Sequence, residues 1–259
     1  MTEKTAPVLA GLRSVPPLTN PVIISDVHLA ANKPKTIMAF LRFLKDVAPR
    51  YAELVILGDL FDYWMGDDAT PDAEPIIATL KLYSATGRRL LVMPGDRDLL
   101  IGPDFARACG AELLADPIVI SVKDVPVLFA HGDEWCVRHR PYQAWRRITH
   151  SPAWQSSVLS QPVTERVAML QEAEDRAVAE NPGEVPPAER GIIESSVAES
   201  ARAAGVELVI HGHTHRPGAH VNAVIERWEL PSWEFDREGC AKSGWITFRE
   251  GGRPQIQLL

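Results

Sequence analysis

The sequence predicts an α/β fold, because β-rich apolar runs alternate with amphipathic stretches along the first half of the chain. Two further observations shape that expectation. Acidic and imidazole residues fall directly after the apolar runs, and a polar, alanine-rich helical stretch interrupts the alternation between residues 137 and 204. The composition is that of a folded globular protein: 46% of the 259 residues are hydrophobic, 24% are charged, and the net charge is −7. No apolar run approaches the ~20 residues of a membrane-spanning helix. The acidic balance argues against nucleic acid as the main partner. Three widely spaced cysteines, Cys109, Cys136 and Cys240, fit neither a disulfide framework nor a cysteine-based zinc site, so a reducing, cytoplasmic setting is expected.

In chain order, residues 1–20, with Pro7, Arg13, Pro16 and Pro17 around a short apolar piece, read as a flexible tail before a domain spanning 21–259. Pro21–Ser25 is a short buried strand. Thr36–Val47 is a helix, since Ile37, Phe40, Leu41 and Leu44 recur at helical spacing. A strand at Glu53–Leu57, a helix at Pro75–Thr86, a strand at Arg89–Met93 and a short helix at Pro103–Ala108 follow. Ile118–Val122 and Val125–Ala130 are neighbouring strands, and Lys123-Asp124 between them is a hairpin signal. Val137–Ala204 reads as a helical insertion, broken by Pro152, Pro162 and Asn181-Pro182-Gly183. Strand character returns at Val206–Ile210 and alternates with turn residues, Gly239 and Gly251-Gly252 among them, from Ala219 to Leu259.

The chemistry lies at the strand ends. Asp26 and His28 follow the first strand, Asp59 the second and Asp96 the third; His131 follows Val125–Ala130, and His213 and His215 follow Val206–Ile210. Ligands of open α/β sheets bind at the carboxyl ends of strands, so five segments aim oxygen and imidazole groups at one crevice. A lone Asp after a strand is usually a helix cap or turn residue, and a lone His is usually a surface residue. Here five of the eight histidines sit in three strand-end motifs, two of which also hold a glycine, and coincidence at five loci is improbable. A metal site is the economical explanation. Seven ligands suit two ions if one carboxylate bridges, and Asp59 is the natural bridge. Mixed carboxylate and imidazole donors favour first-row divalent ions such as Mn, Fe, Co or Zn over Ca, and such a pair clamps a phosphoryl group and activates water. His211 can orient a ligand or pack; His139, His150 and His220 read as bystanders.

The motifs D-x-H at Asp26–His28, G-D at Gly58-Asp59, G-D-R-D at Gly95–Asp98, H-G-D at His131–Asp133 and G-H-T-H at Gly212–His215 resemble those of the calcineurin-like metallophosphoesterases. Gly58–Asp68, Gly95–Gly102, Phe105–Leu114 and His211–Pro217 are similar, within that superfamily, to the UDP-2,3-diacylglucosamine pyrophosphatases of lipid A biosynthesis. The resemblance implies a sandwich of two mixed sheets flanked by helices, with a helical cap at about 137–204. It implies that Asp26, His28, Asp59 and His215 hold one metal and that Asp59, Asp96, His131 and His213 hold the other, with manganese as the usual ion. The implied substrate is a lipid-linked UDP-sugar, with peripheral contact to the inner membrane, and Asp96, Arg97, Tyr142 and His213 are the implied substrate contacts. The broader alternative is a phosphoesterase of another nucleotide diphosphate or phosphodiester; a non-catalytic metal-bearing scaffold fits less well, because all seven positions keep competent ligands.

Three departures from the resembled pattern bear on substrate rather than on reaction type. Many relatives carry a His after the Asn of the third motif, where it can protonate an alkoxide; Arg97 cannot, but it can hold phosphate charge, which favours a diphosphate. The ordinary alternative is that Arg97 pairs with Asp98 or Asp96. Asp96 itself replaces the usual Asn and adds a negative charge. In the insertion, His139 stands at a usually acidic position, and Val163–Ala179 reads VTERVAMLQEAEDRAVA where the family carries Ser, Asn and basic residues. Leu159, Val163, Val167, Met169, Leu170, Trp145 and Trp154 offer apolar area for acyl chains or for ordinary packing.

Overall fold

The computed structural model describes residues 15–69, 72–169, 172, 191–237 and 243–259. Most of the expected tail, Leu170, the centre of the insertion with Asn181-Pro182-Gly183, Gly239 and Cys240 lie outside these residues. The elements run β1 (Pro21–Ile24), α1 (Pro34–Asp46), β2 (Glu53–Leu57), α2 (Glu74–Ser84), β3 (Arg89–Met93), α3 (Pro103–Cys109), β4 (Ala111–Leu113), β5 (Ile118–Val122) and β6 (Val125–Phe129). They continue with α4 (Arg140–Thr149), α5 (Pro152–Leu159), α6 (Glu194–Ala204), β7 (Leu208–His211), β8 (Gly218–Val221), β9 (Glu226–Glu229), β10 (Gly244–Phe248) and β11 (Pro254–Leu258). Residues 163–169 are helical as well.

The strands form two mixed sheets, ordered β11-β10-β1-β2-β3-β4 and β5-β6-β7-β9-β8. Neighbours from β1 to β4 are parallel, as are β6, β7 and β9, while β10, β11, β5 and β8 pair antiparallel at the flanks. Strand β4 is the one element of this frame that periodicity did not announce. Its three residues form an edge on β3, where hydrogen bonding rather than side-chain pattern defines the strand. The turn at Lys123-Asp124 has φ of 47° and 70°, the left-handed pair that a two-residue hairpin needs.

Alternation along each strand divides the interior into layers. Val22, Ile24, Leu54, Ile56, Leu90 and Val92 face α1, α2 and α3 in one buried cluster. Their neighbours Ile23, Val55, Leu57, Leu91 and Met93 face the second sheet, meeting Val127, Phe129, Leu208 and Ile210. On the far side of that sheet, Leu128 and Val209 pack with Val197 and Ala201 of α6 and with Trp135. The central strands are therefore buried on both faces, which explains why β1 and β2 read as continuous apolar runs.

Distant carboxylates fix the helix starts. Asp236 accepts the backbone N–H groups of Lys35 and Thr36 at 3.1 and 2.9 Å at the start of α1. Asp67 accepts those of Gly102, Asp104 and Phe105 at 2.9–3.0 Å at the start of α3. These contacts hold the loops after β1, β2 and β3 at one edge of the sandwich. Among the described residues, no helix is long and apolar enough to cross a membrane.

Candidate metal centre

Every ligand predicted from the strand ends arrives at that edge. Asp26, His28 and His215 form one group whose donor atoms lie within 4.8 Å of one another, and Asp96, His131 and His213 form a second. Asp59 lies between them, with Oδ2 at 3.8 Å from His28 Nε2 and 3.7 Å from His131 Nε2. Its other oxygen accepts the Arg97 backbone N–H at 2.9 Å, which turns Oδ2 toward both groups. Each group draws on both sheets: Asp26, His28 and Asp96 follow strands of the first, and His131, His213 and His215 follow strands of the second.

The backbone is bent to achieve this. Asp26, His28, Asp59, His213 and His215 all have positive φ, between 52° and 72°. A non-glycine residue there costs roughly 1–2 kcal/mol and persists only where its surroundings enforce it. The loops also approach too closely for side chains at two glycines. A Cβ on Gly95 would sit 2.2 Å from Asp59 Oδ1, and one on Gly212 would sit 2.2 Å from Asp26 Oδ2.

Hydrogen bonds orient the imidazoles. His131 Nδ1 donates to the Leu57 carbonyl at 3.0 Å, across the two sheets, leaving Nε2 free to face Asp96 and Asp59. His215 Nδ1 lies 2.8 Å from Glu234 Oε1, leaving its Nε2 at 3.2 Å from His28 Nε2. Two imidazole nitrogens pointed at each other beside carboxylates form a donor set that suits a cation. Within the group the packed carboxylates and imidazoles shift one another's protons. Burial disfavours protonation of His215, but Asp26 and Glu234 outweigh it and push its pKa up to about 10. Burial, against the pull of Asp26, lowers that of His28 to about 4. Burial and then the Asp96 carboxylate push Asp59 well above the usual range, whereas bonds to His131 and His213 overcome burial and hold Asp96 well below it. A divalent ion displaces such protons when it binds.

The remaining expectations meet mixed outcomes. Arg97 does not pair with Asp98: its Nη1 donates to the Tyr63 hydroxyl, and the guanidinium carbon lies 5.1 Å from that ring. Asp98 is instead fully buried and accepts four backbone N–H groups, from Asp59, Leu60, Phe61 and Gly95. Tyr142 reaches the centre with its ring, 5.7 Å from His213, while its hydroxyl donates inward to Asp133 Oδ2 at 3.0 Å. His139 stacks on Tyr142 at 5.8 Å and is thus nearer the site than a bystander. His211 is buried between the Gly212 carbonyl and Arg227, so it braces the loop. Sequence reasoning passed over Asp133, Asp98 as a backbone acceptor, and Glu234. Asp133 and Asp98 stood inside recognised motifs, but nothing around Glu234 marks it.

The calcineurin-like phosphoesterase family model matches residues 20–217. A protein of Stenotrophomonas maltophilia named UDP-2,3-diacylglucosamine hydrolase is 40% identical over 213 residues, covering 77% of this chain and 83% of the relative. Relatives with the same name from Bordetella parapertussis and Ralstonia nicotianae are 35% and 37% identical, covering 92% and 89% of this chain and 94% and 90% of their own lengths.

Proposed function

The chain belongs to the calcineurin-like phosphoesterase family, and from that membership we propose that it hydrolyses the diphosphate of UDP-2,3-diacylglucosamine to UMP and 2,3-diacylglucosamine 1-phosphate. The observation that carries the reading is the pair of three-residue donor groups with the Asp59 carboxylate between them. Asp26, His28, Asp59 and His215 would hold one divalent ion and Asp59, Asp96, His131 and His213 the other. When bound, two such ions supply Lewis acidity toward a phosphoryl group and make water acidic enough to attack near neutral pH.

The chain's own residues supply the rest. Water adds its oxygen to the α-phosphorus and releases a proton to solvent as the bridging P–O bond breaks, and the sugar phosphate leaves as an anion that needs little protonation. Arg97 cannot donate a proton near neutral pH, and its guanidinium fork suits the charge spread over the transferring oxygens. Tyr63 holds that fork at its hydroxyl, and the Arg97 backbone N–H keeps Asp59 turned inward. Tyr142 and His139 offer a stacked pair of rings beside His213.

Manganese is the metal we infer from the donor set and the family resemblance. We read the segment from 137 to 204 as a cap over the site. Trp145, Ile148, Leu159 and Val167 expose apolar area on it, which supports acyl-chain or membrane-surface contact at the cytoplasmic side. Vesicle sedimentation with and without substrate lipid tests that contact, and no binding in either case counts against it. The test of function is UMP release by the purified protein with Mn²⁺, beside Asp59→Ala. Activity lost in the variant is expected; an inactive protein that nonetheless holds two metals sinks the assignment.

A further inference from the structure

Three side chains of α4 converge on one buried residue beside the centre. Arg146 Nε donates to Asp133 Oδ2 at 2.7 Å, the Tyr142 hydroxyl donates to the same oxygen at 3.0 Å, and Gln143 Nε2 donates to the Asp133 carbonyl at 2.8 Å. Asp133 is 1% exposed and lies two residues after His131. Arg146 also reaches, at 3.8 Å, the carboxylate of Asp116, which accepts the His131 backbone N–H at 3.0 Å. A single guanidinium of α4 thus faces both the buried Asp133 carboxylate and the half-buried Asp116 carboxylate that holds the His131 N–H. Such a charge, once desolvated, is costly to leave alone, so the helix has one favoured seat.

We propose that Asp133 and Arg146 are positioning residues that register α4 on the metal centre. They fix the Tyr142 ring beside His213 and thereby set affinity for the large nucleotide-sugar substrate, leaving the chemical step untouched. With its hydroxyl proton given to Asp133, Tyr142 turns its ring toward His213. Neither residue lies among the seven metal-donor positions, and neither touches the reacting phosphorus in this reading. The inference about affinity rests on the substrate proposed above; the seating of α4 does not.

The experiment compares Asp133→Ala, Asp133→Asn and Arg146→Met with the wild type in the full-length, manganese-loaded protein. KM for UDP-2,3-diacylglucosamine is expected to rise at least about 10-fold in Asp133→Ala and Arg146→Met, equivalent to about 1.4 kcal/mol of lost binding. Metal content and kcat/KM for bis-p-nitrophenyl phosphate, a probe too small to need α4, should stay within about twofold. Asp133→Asn keeps an acceptor for Tyr142 and should fall between. Amide exchange across residues 140–149, measured without substrate, should quicken at least about 10-fold while β1 to β3 stay protected.

Equal losses on both phosphoesters, loss of metal, or wild-type exchange in α4 overturns the proposal. So does faster exchange with an unchanged KM. A wild type that cleaves the small diester but not the UDP-lipid overturns the proposed substrate instead, and the exchange arm still decides whether these two residues seat the helix.

Discussion

Replacing Asp98 with alanine tests how the Asp59 loop is held. The carboxylate is fully buried, and its two oxygens take N–H groups from Asp59 and Leu60 at 3.2 and 2.7 Å and from Phe61 and Gly95 at 3.2 and 2.7 Å. Alanine leaves four backbone donors without an acceptor, each at about 1–3 kcal/mol. Part of that cost is offset by removing a buried charge: burial pushes the Asp98 carboxyl above its usual range even against those bonds. A net loss of about 3–5 kcal/mol is expected, as for breaking a buried charged pair. Asp98→Asn keeps one acceptor oxygen and should lose about half as much on the same count of donors. In urea, with a slope of about 2 kcal/mol per molar, the alanine midpoint falls by about 2 M. Metal affinity should drop with it, because Asp59 loses its backbone anchor. A midpoint within about 0.5 M of wild type, at that slope, would refute the assignment of Asp98 as the loop's acceptor.

Gly95→Ala places a Cβ 2.2 Å from Asp59 Oδ1 and 2.6 Å from the Asp59 backbone nitrogen; we expect phosphoesterase activity to fall at least about 100-fold, read by UMP release. Glu234→Gln, which weakens the grip on His215 Nδ1, should raise the dissociation constant for one metal about 10-fold in a chelator competition. Burial and then the Asp116 carboxylate raise the Glu134 pKa to about 7, above the unfolded value near 4.5. The stability linked to that shift is full below the unfolded value and is lost as pH rises through the folded one. Glu134→Gln should therefore match wild type at pH 4.5 and exceed it by up to about 3 kcal/mol at pH 8, and equal midpoints at both pH values would contradict the shift.

The sheets and the donor set were legible because each rests on a local pattern. Continuous apolar runs such as Leu54 to Leu57 mark strands buried on both faces, and a ligand placed one or two residues beyond a run needs no tertiary knowledge to be noticed. The residues that hold those ligands in place were less visible. Asp98 looks like an ion-pair partner for Arg97 in the sequence, since adjacency in the chain says nothing of side-chain direction; in the fold it turns inward to backbone donors. Asp67 and Asp68 are twins in sequence with unrelated tasks. One caps α3, and the other takes the guanidinium of Arg166, about a hundred residues away. Glu234 had no periodicity or motif around it, because its task is defined only once β9 has brought the following loop beside His215. Strand β4 escaped for a related reason: an edge of three residues carries too few side chains to show a period.

Because both donor groups draw from strands of both sheets, the centre acts as a calliper closed on the sandwich. Its jaws are the loops of β1 and β3 on one side and those of β6 and β7 on the other, and the Leu57–His131 hydrogen bond spans the gap. The setting of the instrument lies in the thickness of the layer where Val55, Leu91 and Met93 meet Val127 and Phe129. One methylene too many or too few in that layer shifts opposing ligands against each other while the chain stays folded. Metal occupancy should thus report on this core as melting temperature does, and neither half of the chain supplies either donor group alone.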